Sequence, residues 1–471
     1  MTEQEERIWA EIQKKKQAET REKILGIMAQ CLLMFTVGIF IFSPCQQLIM
    51  RFIGGKNSDR WYNLSKDIRE YQDMIQKVNY LAVFTAVLCY IYFIYRIIAS
   101  RGKPHPPMKE RLCRLSPLFL FWAFAILIPV VTVIRGHNEY DLTGHPYMFE
   151  SIYSYMLYPT CYFFCGAMIW QSRSKKSLIY LLLFSSMPLN IISLYDEWVK
   201  PVEIYLGRGV AAVFHNSNHY GYYLAITIIA GGLMAVYEKR LWLKAVSAVS
   251  AVIATMVLII NNTLGAYIAV AFAFFLFIIY SFFISKQYRW QSLAVMGVFL
   301  LITFFMSFRY NTVMSSFVVL FHDVGKIASD PLEADSAGSS RWKLWKGTVK
   351  NIHESPWTGF GVEGLLNTHY VGTPHNEVLQ YMEFFGIPAA LLYVAACASV
   401  LLIVLKNCKS MDYTTMICFF VSIGYLTSSM FGVAIYYTTP YIYIFLGLTY
   451  AEHLHRGFTA ADEMQKSTTA G

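Results

Sequence analysis

The sequence predicts an all-α polytopic membrane protein with about twelve transmembrane helices, both termini cytoplasmic and one large extracytoplasmic loop between spans nine and ten. Three observations predict it. Hydrophobic residues make up 56% of the 471-residue chain and charged residues 15%, with mean hydropathy +0.41. That leaves too little polar surface to cover a soluble body. Apolar runs of roughly 20 residues, enough to cross a bilayer as helix, recur along almost the whole length. Lys and Arg gather in alternate short loops between those runs, as cytoplasmic loops require. In hydrocarbon every backbone N–H and C=O must be paired internally, so such runs become helices. A β-barrel would show short alternating segments, and these runs do not alternate.

Residues 1–23 read as a charged cytoplasmic helix with Ile8, Trp9 and Ile12 on one side. The apolar run behind them is too long for the core of a cleavable signal peptide, so none is expected. The first nine spans fall within 24–307, near 24–50, 78–99, 113–134, 153–171, 178–195, 218–237, 241–260, 263–285 and 290–307. With the N-terminus inside, the inside loops carry Arg96, Arg101, Lys103, Lys109, Arg111 and Arg114, then Arg173, Lys175 and Lys176. They continue with Lys239, Arg240 and Lys244, then Lys286 and Arg289, then Lys406 and Lys409. The short outside loops carry only Arg135, Lys200 and Arg208. The outside segment 51–77 mixes both signs, as long translocated loops tolerate.

Residues 308–377 form the large extracytoplasmic loop, too long to be a mere connection. Within it Trp342, Trp345, Val349 and Ile352 fall at helical spacing, with Arg341, Lys343, Lys346 and Lys350 largely away from that stripe. Ser339 or Ser340 can cap this helix and Pro356 ends it. Such an amphipathic helix suits a membrane surface. A glycine turn, Pro356 to Gly361, follows, and Thr373-Pro374-His375-Asn376 leads into the tenth span. Spans ten to twelve occupy 378–451, near 378–404, 412–432 and 435–451, and the tail 452–471 reads as polar, loose and cytoplasmic.

The net charge of +9 is explained by topology and does not call for a nucleic-acid partner. Most of the nine cysteines lie inside apolar runs and none forms Cys-x-x-Cys, so they read as small packing residues rather than a disulfide framework.

Ionisable groups inside a bilayer are costly and usually functional. Glu383 is the main one within the spans, which moves attention to the outer face. There Arg208, Arg341 and His375 stand out. An arginine at a span end also snorkels to lipid phosphate, and a loop histidine beside asparagine also serves as a hydrogen-bonding cap.

The stretch from Arg341 to Tyr393 resembles the core signature of the O-antigen ligase and O-antigen polymerase superfamily. The matching elements are Arg341 with Trp345, the Pro356–Gly361 turn, and His375-Asn376 followed by Gly386. Ala389 departs from the Gly, Thr or Tyr that the pattern has there, and Trp345 stands where leucine is frequent. A second block, Gly207-Arg208 through Phe214-His215-Asn216-Ser217-Asn218, resembles the arginine-containing segment before a mid-chain span.

The resemblance implies glycosyl transfer on the outer face of a bacterial cytoplasmic membrane, from a glycan on undecaprenyl pyrophosphate to a hydroxyl of a glycan or lipid-linked core. It implies Arg208 and Arg341 on the pyrophosphate, where planar guanidinium forks match phosphate oxygens. It implies His375 as the base that takes the acceptor proton. Asn376, Lys343, Lys346, Asn218, Gly359 and Gly361 are the expected substrate contacts, with Lys350 a further helper cation. Direct displacement would invert the anomeric centre. No cofactor or metal is expected; the partners expected are membrane lipids and other polysaccharide-assembly proteins. The motifs serve polymerase and ligase alike.

Three rivals follow from other residues. Glu139-Tyr140-Asp141, or Asp59 and Asp67, could hold a divalent ion in a metal-dependent transferase. His215 and His219, four apart, could share a helix face as zinc ligands do, although no third ligand stands nearby. A polysaccharide flippase without covalent chemistry would place polar residues along a central cavity and perhaps pair two repeats, neither of which the sequence shows.

Overall fold

A computed structural model describes residues 2–53, 64–99, 108–144, 150–198, 212–214, 216–310, 312–329, 334–338, 340–362 and 373–469. Among them every regular element is helical: α1 (Glu3–Ile53), α2 (Leu64–Ala99), α3 (Met108–Arg135), the short α4 (Glu139–Thr143), and α5 (Ile152–Leu157). A π-helical turn (Tyr158–Phe163) leads into α6 (Phe164–Ala167) and α7 (Ser172–Trp198). Then come α8 (Ser217–Tyr237), α9 (Leu241–Asn261), α10 (Leu264–Phe283), α11 (Arg289–Tyr310) and α12 (Val313–Ser329). The last four are α13 (Arg341–Glu354), α14 (Glu377–Asn407), α15 (Tyr413–Ser429) and α16 (Thr439–Thr469).

The protein is therefore a polytopic membrane protein by length and apolarity of its helices. Among the described residues nine are long and apolar enough to cross a bilayer, and they coincide with expected spans. The other three expected spans take different forms. Residues 153–171 fall mostly on α5, the π-turn and α6; residues 412–432 contain α15, of 17 residues; and residues 435–451 lead into α16.

The centre of the bundle is α8. Its 21 residues carry no charged side chain, so the helix can be covered on every side. It packs against α9, α10 and α15, and 94% of its apolar window is buried. Asn216 caps its start by accepting a hydrogen bond from the Asn218 amide at 2.8 Å. Asn262, at φ +55°, closes α9 in the left-handed conformation that asparagine tolerates.

Four local features differ from the expectations above. α1 is one continuous helix from Glu3, so the charged segment and the first span are a single element. α16 runs to Thr469, so the tail expected to be loose continues the last helix. The large loop holds a helix that the pattern reading passed over, α12, whose Val318, Phe321 and Val324 are exposed. Ser340 adopts φ +68° and makes no side-chain cap, because its backbone turns the chain sharply into α13 instead.

Arg208, Lys200, His215, Ser339, Asp59, Arg101 and Lys103 lie outside the described residues. All nine cysteines are free thiols, seven of them buried, which fits their reading as packing residues.

Candidate active site

The site is assembled where the large loop returns to the bundle. α13 lies against α14, which follows it after the glycine turn and the His375 loop. The face it buries comprises Gly347, Thr348, Asn351 and Ile352, while Val349 is exposed. Of the Trp342–Trp345–Val349–Ile352 stripe, expected to lie at a membrane surface, Ile352 is buried, the two tryptophans are half-buried and Val349 is exposed. The helix docks through its small and polar residues, because a carboxylate waits for it: Asn351 Nδ2 donates to Glu383 Oε1 at 2.7 Å. Trp345 makes the second tether, its indole N–H donating to the Pro374 carbonyl at 2.7 Å. Arg341, at the start of this helix, is thereby held against the loop that carries His375.

His375 adopts φ +47°, a conformation costly for a residue with a Cβ. Its neighbour fixes it from the other side. Asn376 caps α14, its Oδ1 accepting from the amides of Val378 at 3.0 Å and Leu379 at 3.1 Å. The Asn376 Nδ2 donates to the Met430 carbonyl at 3.3 Å, which joins this loop to the end of α15. The His375 Nδ1 is buried and has no hydrogen-bond partner. Burial, then the positive charge of Arg341, push the His375 imidazole down to about 4, so the ring is neutral near pH 7. Burial also holds the Arg341 guanidinium below its ordinary value. The arginine and the histidine expected to act together are therefore electrostatic neighbours.

Three further groups share the place. Glu377, wholly buried, accepts a hydrogen bond from the Tyr425 hydroxyl at 3.0 Å. Tyr222 from α8 stacks on Tyr425 with ring centroids 5.1 Å apart, and its hydroxyl neighbours both Glu377 and Arg341. Glu150, also fully buried, accepts from the Tyr158 hydroxyl at 2.7 and 2.8 Å. Burial pushes Glu150 up to about 8, with the nearby Glu377 carboxylate adding to the effect. The sequence signal for Glu377 was its position directly after His375-Asn376; it was passed over because it falls where loop becomes span. Nothing local marks Tyr222, on α8, or Glu150, in the stretch before α5, which lie far from His375 in the sequence.

The other sequence candidates take different places. Gly359, at φ +64°, and Gly361, at φ +77°, belong to a turn that grips α14. Phe360 N donates to the Glu383 carbonyl at 2.8 Å, Gly361 N to the Phe384 carbonyl at 2.9 Å, and Ile387 N to the Pro356 carbonyl at 2.8 Å. The grip coincides with a kink in α14 at Gly386, φ +83°. These glycines are positioned by close backbone approach to the protein itself. Asn218 lies in the first turn of α8, half-buried. Lys343 and Lys346 are exposed, and Lys346 is ion-paired with Asp335. Arg208 lies outside the described residues.

Asp141, from the rival metal motif, is committed elsewhere. It is fully buried and paired with Arg135 at 2.5 Å. It also accepts from the Asn138 amide at 3.0 Å and the Val362 amide at 3.1 Å. Those contacts engage both of its oxygens and join α4 to the glycine turn. His219, from the rival zinc pair, meets the Tyr437 hydroxyl through Nδ1 at 2.8 Å.

Residues 249–394 match the family described as O-antigen ligase. This segment is similar to an O-antigen ligase domain. It runs from within α9 to within α14 and so holds Arg341, Lys343, Lys346, Gly359, Gly361, His375 and Asn376. It covers less than half of the chain, and Arg208, Asn218, Tyr222 and Glu150 lie before it. No curated protein matches the chain. The chain is thus a polytopic membrane protein with a segment similar to the O-antigen ligase family.

Proposed function

We propose that this protein is a glycosyltransferase of the bacterial cytoplasmic membrane. It moves a glycan from undecaprenyl pyrophosphate to a hydroxyl of a glycan or lipid-linked core on the outer face. The observation that carries the reading is the buried, unpartnered Nδ1 of His375 beside Arg341, inside the O-antigen ligase segment.

The reaction asks for this pairing. The acceptor oxygen forms a bond to the anomeric carbon as the bond from that carbon to the pyrophosphate breaks, with inversion. The acceptor proton passes to His375, and the electron pair leaves on the pyrophosphate. Negative charge grows on the leaving group, so a fixed guanidinium favours the transition state over the ground state. Arg341 supplies one, and Arg208 is the second by resemblance. With these cations in place no metal is needed.

A base held at about 4 is weak while the site is empty. An anionic pyrophosphate bound at Arg341 offsets the cation that depresses it, so donor binding itself raises the basicity of His375. That couples the base to the presence of substrate.

Replacing His375 with alanine tests the proposal in cells that make the polysaccharide. Glycan transfer should collapse while lipid-linked donor accumulates outside. Unchanged transfer would remove His375 from the base role, and failure of donor to reach the outer face would favour a transporter.

A further inference from the structure

At the end of the bundle opposite His375 lies a cavity of about 800 Å³ that the reaction above does not use. α16 runs from beside the site to this end, where Ala451, Leu454 and His455 form one wall. α1 supplies the facing wall from Lys23 to Met34, α2 contributes Tyr92 and Phe93, and the stretch from Ala167 to Ser174 closes the back. Loop charge assigns this end to the cytoplasmic leaflet.

We infer that this cavity binds one anionic phospholipid of the cytoplasmic leaflet, with an acyl chain in the crevice and the phosphate at Lys23. The volume lies within the range of specific small-molecule sites. The floor is apolar, formed by Leu33, Met34, Phe93 and Leu454, and suits hydrocarbon. The rim is polar, and its only charged side chain among the described lining residues is the cation Lys23. Basic pockets between helices on the cytoplasmic side favour anionic headgroups.

A second observation points the same way. Gln30 donates through Nε2 to the Met168 carbonyl at 2.8 Å, which fixes the amide. Its Oε1 is buried and has no partner, and Gln30 lines the cavity as Lys23 does. The cation at the rim selects a headgroup with net negative charge, as phosphatidylglycerol has. His455, stacked on Trp170 with centroids 3.5 Å apart, keeps the rim rigid. The inference does not depend on the proposed reaction.

The test uses the full chain in mixed phosphatidylcholine and phosphatidylglycerol vesicles, re-extracted in mild detergent. Native mass spectrometry then reads the lipid retained. One phosphatidylglycerol per chain should persist in preference to phosphatidylcholine. Lys23→Ala should lower its retention roughly fivefold, the effect of one basic residue near an anionic headgroup. Gly26→Leu should fill the crevice and displace both lipids, because a side chain there points toward the Tyr92 hydroxyl across it. Equal retention of the two lipids, no retained lipid, or phosphatidylglycerol retention unchanged in Lys23→Ala would overturn the assignment. Lys23 is exposed, so that variant decides the matter even where Gly26→Leu fails to fold.

Discussion

His375 combines two costly features, a buried ring nitrogen without a partner and a left-handed backbone. Each costs on the order of 1–3 kcal/mol unless the surroundings or a ligand compensate. Asn376 and the Trp345 bond to Pro374 provide the surroundings, and a bound acceptor would provide the ligand. The pH behaviour follows. Because burial and Arg341 hold the free-site imidazole near 4, it is mostly deprotonated near neutral pH. The acid limb of kcat/KM, which reports the free enzyme, should therefore fall below 6.5. Nuclear magnetic resonance titration of the His375 ring should show its pKa rise when inorganic pyrophosphate is added; an unchanged value would separate the ring from the anion site. At Gly361 the prediction concerns packing. A Cβ there would strike the Arg135 guanidinium, and φ is +77°. Gly361→Ala should lower stability by about 2 kcal/mol, read as a fall in Tm.

At the scale of elements, α13, α14 and the turn between them form one unit held by named bonds. Asp141 is its distant fastening, joining Arg135 to the Val362 amide. Both partners are largely withdrawn from solvent, so Asp141→Ala leaves a nearly buried guanidinium uncompensated. The expected loss is about 3 kcal/mol in thermal unfolding, and a loss under 1 kcal/mol would show the pair to be ornamental. The spans and α13 were legible from the sequence because hydropathy and helical spacing are local signals. The grip of Phe360 on Glu383 was not, since the residues that meet lie on separate elements and no pattern records the meeting. Arg135 read as an outside loop cation because charge alone does not reveal a buried partner. Glu377 read as loop because it stands at the boundary, although one step from His375-Asn376. The helix α12 was missed because its apolar face is short and interrupted by Ser and Asp.

For the whole molecule, nine helices among the described residues meet the length and apolarity of a span, and residues 153–171, 412–432 and 435–451, expected to be spans, contain shorter or less apolar helices. The sidedness is testable through single cysteines in a chain stripped of its own. Cysteines placed at Lys343 and at Lys409 should label from opposite sides of the membrane with an impermeant thiol reagent, Lys343 outside. Labelling of both from one side would overturn the topology. The arrangement separates two environments: a strained, polar cluster at the His375 end, and an apolar cavity with a cationic rim at the other. Between them lies α8, whose Tyr222 reaches the cluster from the centre of the bundle.

The central claim is that Arg341 and His375 serve one reaction in one place. The most direct measurement is a double-mutant cycle on glycan transfer by the purified protein, with lipid-linked repeat units as donor and the variants Arg341→Ala, His375→Ala and both. Groups acting on the same transition state are strongly non-additive, so the double variant should be scarcely slower than the worse single variant. Effects that simply add, to within about 0.5 kcal/mol, would place the two residues in independent roles and contradict the account.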